Sequence, residues 1–560
     1  MTIWLRILIF TITAWLCLTR PVAHGAEKLV PLSSPGPWSG VSGIIGYGGK
    51  IWFVNSNQFV DHNSADIYSY DPATGNSRYE KHLFSQDAGR PAVANGLLYW
   101  PFEDARFSAG RGEYMVTNGR HWRWRIVPEG QVFHIHAMLN HHGGLYAATG
   151  AWRAGLQYSH DGRNWRVLYD HPTPPRRVTR ITTLAALGDT LYAGLTDYRP
   201  QGKKLLRWDG RSFQPVKSWP PGTMVTALTR GLGWLYGVNV TTEGSALWRT
   251  NGDQSERISA FDGRHVRGLA VSSNALLAVT GQQSTGSLWR SFDGKRWMEI
   301  QRFDDAIPVD VAVYGEKAFV GTARPDARGT LWGSAELSSM ASIEETARIK
   351  DSSLPLPEQA LKAGLQSLDD VLADPTTYAH GGASIRRRVQ SLAQSGTPKV
   401  GVELTRRLDG SFPDVTASRF GGRVTVTAAT LARWYLLWGA GLTGHGKVPP
   451  RLFSQPFNEK PNRSEKYLYL GSAAAWTAAR LGQNSRESIA ALIQGLGRVG
   501  QPLWVDGDYI GALTELTGQR FGYDTAAWHK WWRARSRRQS MTPIPDKASM
   551  TGMKNGEPVQ

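Results

Sequence analysis

Phe133-His134-Ile135-His136-Ala137-Met138-Leu139-Asn140-His141-His142-Gly143-Gly144-Leu145-Tyr146-Ala147-Ala148-Thr149 is the stretch that decides how this chain folds. Residues 133–139 open with apolar and polar side chains in alternation, the pattern of a half-buried strand. Gly143-Gly144 supplies a turn and residues 145–149 a second strand. Residues 156–159 and 165–169 read as a third and a fourth. Between these last two, Asp161-Gly162 suits a tight hairpin, because glycine accepts a positive φ. The apolar pair at Leu145-Tyr146 recurs along the chain, its second member being Trp52, Tyr99, Tyr146, Tyr192, Tyr236, Leu277 and Phe319. The steps between them are 47, 47, 46, 44, 41 and 42 residues, too even for unrelated segments. The hairpin turn recurs with them, at Asn118-Gly119, Asp209-Gly210, Asn251-Gly252 and Asp293-Gly294.

A period of roughly 40–50 residues made of short strands marks a β-propeller, whose blades bury their faces only against each other. Seven anchors predict an all-β seven-bladed propeller over residues 28–334. The last repeat has strands at 309–313, 318–321 and 330–332 but no fourth, while residues 28–32 form a spare strand ahead of the first repeat. That spare strand is expected to complete the last blade and so remove an open edge.

Beyond Ser334 the spacing becomes helical. Leu431, Trp434, Tyr435 and Trp438 fall at i, i+3, i+4 and i+7, as do Ile489, Leu492, Ile493 and Leu496. Asn484 and Glu487 suggest a capping box for the second of these, and Asp524 precedes a last helix carrying Trp528, Trp531 and Trp532. The expected organisation is a linker at 335–354 and a separate all-α domain at 355–538, with a hairpin insertion within 401–427. Residues 539–560, polar with Pro and Gly, read as a disordered tail.

The chain of 560 residues is too long for one core. Arg6, the apolar run 7–18, Arg20 and the small-residue pattern Ala23-His24-Gly25 predict a signal peptide at 1–25. An uncleaved anchor is the alternative, but the run falls short of the ~20 residues needed to span a bilayer. The expected location is periplasmic or secreted, with no transmembrane helix after cleavage. Cys17, the only cysteine, lies inside that segment, so disulfides, thiol nucleophiles and thiolate metal sites are excluded from the mature chain. The net charge of +18 favours anionic partners. No nucleic-acid motif accompanies it, and nucleic acid is not expected as a partner. The basic runs Arg386-Arg387-Arg388 and Arg533, Arg535, Arg537, Arg538 read as solvated helix faces.

Ser159-His160-Asp161-Gly162-Arg163-Asn164-Trp165 and Ser291-Phe292-Asp293-Gly294-Lys295-Arg296-Trp297 resemble the Asp-box hairpin of sialidases and other secreted propellers, with one residue fewer between Asp and Trp. In that family the box is a structural turn remote from the active site, so the resemblance implies fold rather than activity. Leu513-Thr514-Glu515-Leu516-Thr517-Gly518-Gln519, then Phe521-Gly522-Tyr523-Asp524, Trp528 and Trp531-Trp532, is similar to the closing helices of HEAT-like domains in secreted bacterial proteins. That likeness implies a stacked-helix scaffold used for binding.

Propellers take ligands at one end of the central channel. Aligning the repeats places Asp87, His134, Arg180, Met224 and His265 at the start of the innermost strands, with His136 and Arg267 two residues further on. Loops bring Arg90, Glu103, Asp104, Arg106, Trp152, Asp197 and Tyr198 to the same face. A polar funnel with aromatic walls suits a glycan or protein ligand, anionic or neutral. His134 and His136 share a strand face and could meet a metal, although spacing fixes no third ligand. No cofactor is expected. Phosphate loops, dinucleotide fingerprints, nucleophile elbows and His-Glu-x-x-His helices are all missing from the sequence. The first functional reading is an exported, non-enzymatic binding scaffold whose helical domain docks a partner. The alternative is a sialidase-like or lyase-type glycan-active enzyme, with Arg90, Arg180 and Arg267 on a substrate carboxylate and Tyr198, Glu103 and Asp104 as reacting groups.

Overall fold

The computed structural model describes residues 28–57, 64–107, 111–127, 133–150, 153–173, 177–197, 202–334, 357–379, 381–395, 397–419, 424–454 and 468–537. The signal-peptide segment, the linker, the tail, Trp152 and Tyr198 lie outside the described residues.

Residues 28–334 are mostly β, and the quoted stretch shows why. His134–His141, Gly144–Gly150, Gly155–Ser159 and Arg166–Asp170 pair antiparallel in chain order as one meander. The same four-strand order fills residues 40–82, 92–127, 180–215, 224–257 and 266–303. The last meander has three strands of its own, Ile307–Tyr314, Lys317–Ala323 and Thr330–Ser334, and takes its fourth from Leu29–Ser33. The N-terminal strand thus occupies the place expected from the sequence. Gly40 pairs with Ala323, so the first and last meanders are also joined to each other.

The recurring turn and the recurring aromatic turn out to be one device. Asp161 Oδ1 accepts backbone N–H bonds from Arg163 and Asn164 at 2.9 and 2.8 Å, and Asp293 Oδ1 accepts from Lys295 and Arg296 at 2.8 Å each. Asp209, Asn118 and Asn251 cap their turns in the same way. Gly162 sits at φ +67, and a Cβ there would collide with the Tyr99 hydroxyl of the preceding meander. Gly294 meets Tyr236 in the same manner, and Gly252 meets Tyr192. Each such anchor aromatic therefore packs on the hairpin of the next repeat, which locks neighbouring units in register.

The first strands of successive meanders lie side by side around a central channel, and most carry a β-bulge at the same level. A bulge turns side chains out of strict alternation and toward a neighbour. Asp310 exemplifies this: its carboxylate accepts the backbone N–H of Ile44 in the first meander and of Val311 in its own, both at 2.9 Å.

The C-terminal part is helical, with helices at Glu358–Ala373, Ala383–Gln394, Pro398–Arg406, Ala428–Thr443, Leu470–Leu481, Arg486–Gly495, Leu503–Thr517 and Thr525–Arg537, besides a short turn of helix at Thr376–Ala379. The hairpin is narrower than the expected 401–427, since only Thr416–Arg419 and Val424–Thr427 pair. Residues 401–406 belong to the Pro398–Arg406 helix, where Pro398 starts the first turn and a side chain at Gly401 would collide with the His445 carbonyl. The cap of the Arg486–Gly495 helix is Ser485, whose hydroxyl accepts from Ser488 N, one residue later than the capping box expected at Asn484.

The helices pack directly on the first two meanders through a shared apolar core. Phe107 stacks on Trp434 and Trp476 at centroid distances of 5.9 and 5.1 Å, and Trp124 meets Trp476 edge-on at 5.7 Å. A buried polar network crosses the same junction. His82 is held between Asp66 at 2.7 Å and Asp508 at 3.0 Å, and Asp508 is gripped by both terminal nitrogens of Arg106 and by the Ser472 hydroxyl. Asp66 also accepts from Trp38 Nε1 and the Tyr523 hydroxyl, at 2.9 and 2.8 Å. Burial alone would make His82 harder to protonate. The carboxylates on either side outweigh it and raise its pKa above the ordinary value. Burial likewise opposes ionisation of Asp508, but Arg106 and His82 hold its pKa below the usual carboxylate range. Among the described residues no helix is long and apolar enough to cross a membrane.

Candidate functional site

The expected site residues divide into a group that meets at one place and a group that does not. Glu103 lies in the loop after the second strand of the second meander, and its N–H donates to the Asp87 carbonyl at 3.1 Å. Its carboxylate stands 3.5 Å from Nδ1 of His134, the first residue of the third meander's inner strand. The same carboxylate lies 4.0 Å from Nη1 of Arg180, the first residue of the fourth meander's inner strand. Three successive meanders thus place a carboxylate, an imidazole and a guanidinium together. A side chain at Gly150 would collide with Arg180, so that glycine is what lets the fourth meander begin this close to the third.

The two histidines are neutral members of this group. His134 donates its Nδ1 proton to the Glu103 carbonyl, and its pKa is pushed down to about 4 by burial first and the Arg180 charge second. His136 is lowered well below the ordinary value by burial, helped by His134 and Arg180. The rings stack 5.3 Å apart at an interplanar angle of 20°, and His136 is the bulged residue between Ile135 and Ala137. Nε2 of His136 and Nε of Arg180 are shielded from solvent and have no hydrogen-bond partner among the described residues. No set of three or more His, Cys, Asp or Glu among the described residues is arranged to hold a metal. What remains reachable is Glu103 and Arg180, whose side chains keep 26% and 30% of their exposure. At this exposed edge Arg180 can donate to an incoming ligand and the Glu103 carboxylate can accept from one.

Arg106 is the plainest departure from expectation. It is 6% exposed, turned into the junction with the helices, and stacked over Trp504 at 4.9 Å while it pairs with Asp508. An arginine fork that finds a buried carboxylate is spent there, and it offers nothing at the mouth. Asp104 folds back, its N–H donating to the Ser85 hydroxyl and its carbonyl accepting from Gln86. Asp197 is buried beside Lys204 at 3.6 Å. His265 meets the Ser245 hydroxyl at 3.4 Å, and Arg267 donates from Nε to the Gly281 carbonyl at 2.8 Å. Arg90 is exposed and lines the channel.

Sequence reasoning missed Asp66, His82 and Asp508, all buried, and the part-buried Asp310. The available signal was a charged residue on the inward phase of a strand or helix that otherwise reads as core, as in Ala65–Asp71 and Leu503–Thr517.

No protein-family model matches the chain. No curated protein matches it either. Solved structures overlap its β part. The β-propeller domain of the Trilobed protease from Pyrococcus furiosus is 11% identical at a TM-score of 0.39, covering 54% of this chain and 98% of that one. The extracellular domain of BT4673, a proposed one component system of B. thetaiotaomicron, is 17% identical at 0.39, covering 55% of this chain and 39% of that one. The computationally designed Ika8 protein is 14% identical at 0.34, covering 55% and 99%. Overlaps this loose define neither function nor partner. By its own strand pairing the chain is a propeller-like β region joined to a mainly helical region that carries one short hairpin.

Proposed function

We propose that this chain is an exported, non-enzymatic binding scaffold. Its β region is a seven-bladed ring with Asp-box-like hairpins, and its ligand is a glycan or protein segment taken at one mouth of the channel. The observation that supports this reading is the meeting of Glu103, His134 and Arg180 from three successive meanders. A half-exposed acid and base over a floor of neutral imidazole suit a ligand carrying both hydroxyl and acidic groups, such as an acidic sugar. The helical region, HEAT-like in this reading, braces the first two meanders and keeps its outer face for a second partner. The leader at 1–25 delivers the protein to the periplasm or the exterior.

The test is a panel of acidic and neutral glycans offered to the mature protein, with retention and product release measured together. Retention without product, weakened by Arg180→Ala, supports the scaffold. Product release that disappears with Glu103→Gln establishes the glycan-active enzyme instead. If no glycan is retained, the ligand is not a sugar, and a protein-segment library is the second arm.

A further inference from the structure

Two adjoining cavities of about 610 and 370 Å³ occupy the channel, and Arg90 lines both. Its backbone is clamped: the N–H donates to the His136 carbonyl at 2.8 Å and the carbonyl accepts from Met138 at 2.9 Å. Next to it, a side chain at Gly89 would collide with the carbonyls of Ile135 and His136, so the chain is pressed flat against the third meander. The guanidinium that projects from this fixed point has no ion pair or hydrogen bond among the described residues. Asp310, whose charge acts on Arg90, is part-buried and lines the same cavity, but both its oxygens are already engaged by backbone N–H groups. It lowers the local potential without capping the fork. The larger cavity is also lined by Ile44, Ala270, Val271 and Val311, by hydroxyls at Ser42 and Thr229, and by the acids Asp87 and Asp310. The smaller adds a second cation, Arg230.

We infer that the channel holds an oxyanion site, in which Arg90 clamps the carboxylate or phosphate of a small molecule while the apolar walls take its body. An unpaired guanidinium fixed at its root presents a planar fork that matches either group bidentately. The site is distinct from the mouth pair of Glu103 and Arg180, and it does not depend on the mouth reading.

Calorimetric titration of the full mature chain with inorganic phosphate and, separately, with butyrate, a carboxylate without sugar hydroxyls, tests this. Saturable binding of at least one probe is expected, weakened about tenfold or more by Arg90→Gln, in keeping with loss of a charge-assisted bidentate contact. Arg90→Lys should fall between, as a point charge without the fork. Arg211→Gln, at an exposed arginine on the Asp209-Gly210 turn, should leave it unchanged, and this separates the channel site from general attraction to a basic surface. Stronger binding of phosphate or of butyrate identifies which group the site takes. No saturable heat from either probe, or equal binding by Arg90→Gln, overturns the inference. The exposed Arg90 guanidinium makes no hydrogen bond among the described residues and both Asp310 oxygens keep their backbone partners, so Arg90→Gln should fold normally, checked by its circular dichroism.

Discussion

Arg106 and Asp508 lie 402 residues apart in the chain, and the guanidinium of one holds both carboxylate oxygens of the other inside the junction between the β and helical regions. Neither side chain is solvated, so each is stable as an ion only because of its partner. Removing one member of such a pair costs about 3–5 kcal/mol, whereas replacing both by apolar groups of similar size costs little. Asp508→Ala should therefore lower the denaturant midpoint of the whole chain sharply. Arg106→Met with Asp508→Leu should recover much of that loss, and urea unfolding followed by tryptophan fluorescence measures both.

His82 gives the junction a pH window. Its folded pKa is raised above the ordinary value, so its contribution is complete below about 6.5, the unfolded pKa, and is lost as pH rises through the folded one. Asp508 is depressed, so its contribution is present above about 3.9 and lost as pH falls through the folded value. Stability should peak between these limits. His82→Gln should flatten the alkaline side of the profile and leave the acid side in place, as followed by urea midpoints across pH.

Glu113 is fully buried in the second meander, and both carboxylate oxygens lack a hydrogen-bond partner among the described residues. Burial raises its pKa to about 8, against the opposing pull of Trp124, Arg480 and Arg106. An acid raised in this way is protonated when folded and ionised when unfolded, so it costs stability increasingly as pH climbs from about 4.5 toward 8. Glu113→Gln should stabilise the protein at pH 8 by an amount on the order of a few kcal/mol, at ~1.4 kcal/mol per pH unit, and have little effect at pH 4. Equal effects at both values would contradict the assignment.

Gly162→Ala should cost about 1–3 kcal/mol, because it places a Cβ at positive φ and drives it into Tyr99. Gly188→Ala makes the comparison, since Gly188 also has a positive φ but nothing within reach of a Cβ. The difference in melting temperature between the two isolates the packing contribution of the anchor aromatic.

Much of the β region was legible because its repeat carries both a period and a chemistry. The Asx-Gly turn and the anchor aromatic recur because one packs on the next, as at Gly162 and Tyr99, and a contact that repeats leaves a repeat in the sequence. The spare strand was legible for a related reason: an incomplete last repeat needs a partner, and Leu29–Ser33 pairs there. The hairpin limits and the Ser485 cap were not legible, since helix and strand ends depend on packing, such as Gly401 against His445, that has no local signature. In the site, repeat alignment placed His134 and Arg180 on adjacent strands, while the loop supplied Glu103. Arg106 was misread because its partner, Asp508, lies in the other region of the chain. Only a three-dimensional contact distinguishes an arginine facing solvent from one spent on a buried acid.

Ligand binding in this protein is assigned to the mouth where Glu103, His134 and Arg180 meet. Dissociation constants for the best-retained glycan, or peptide if no glycan binds, should be measured for the mature protein, Arg180→Ala and Glu103→Gln. A loss of about tenfold or more in each variant, worth ~1.4 kcal/mol, is the predicted result. Binding that stays the same in both variants, with the fold intact, would contradict it.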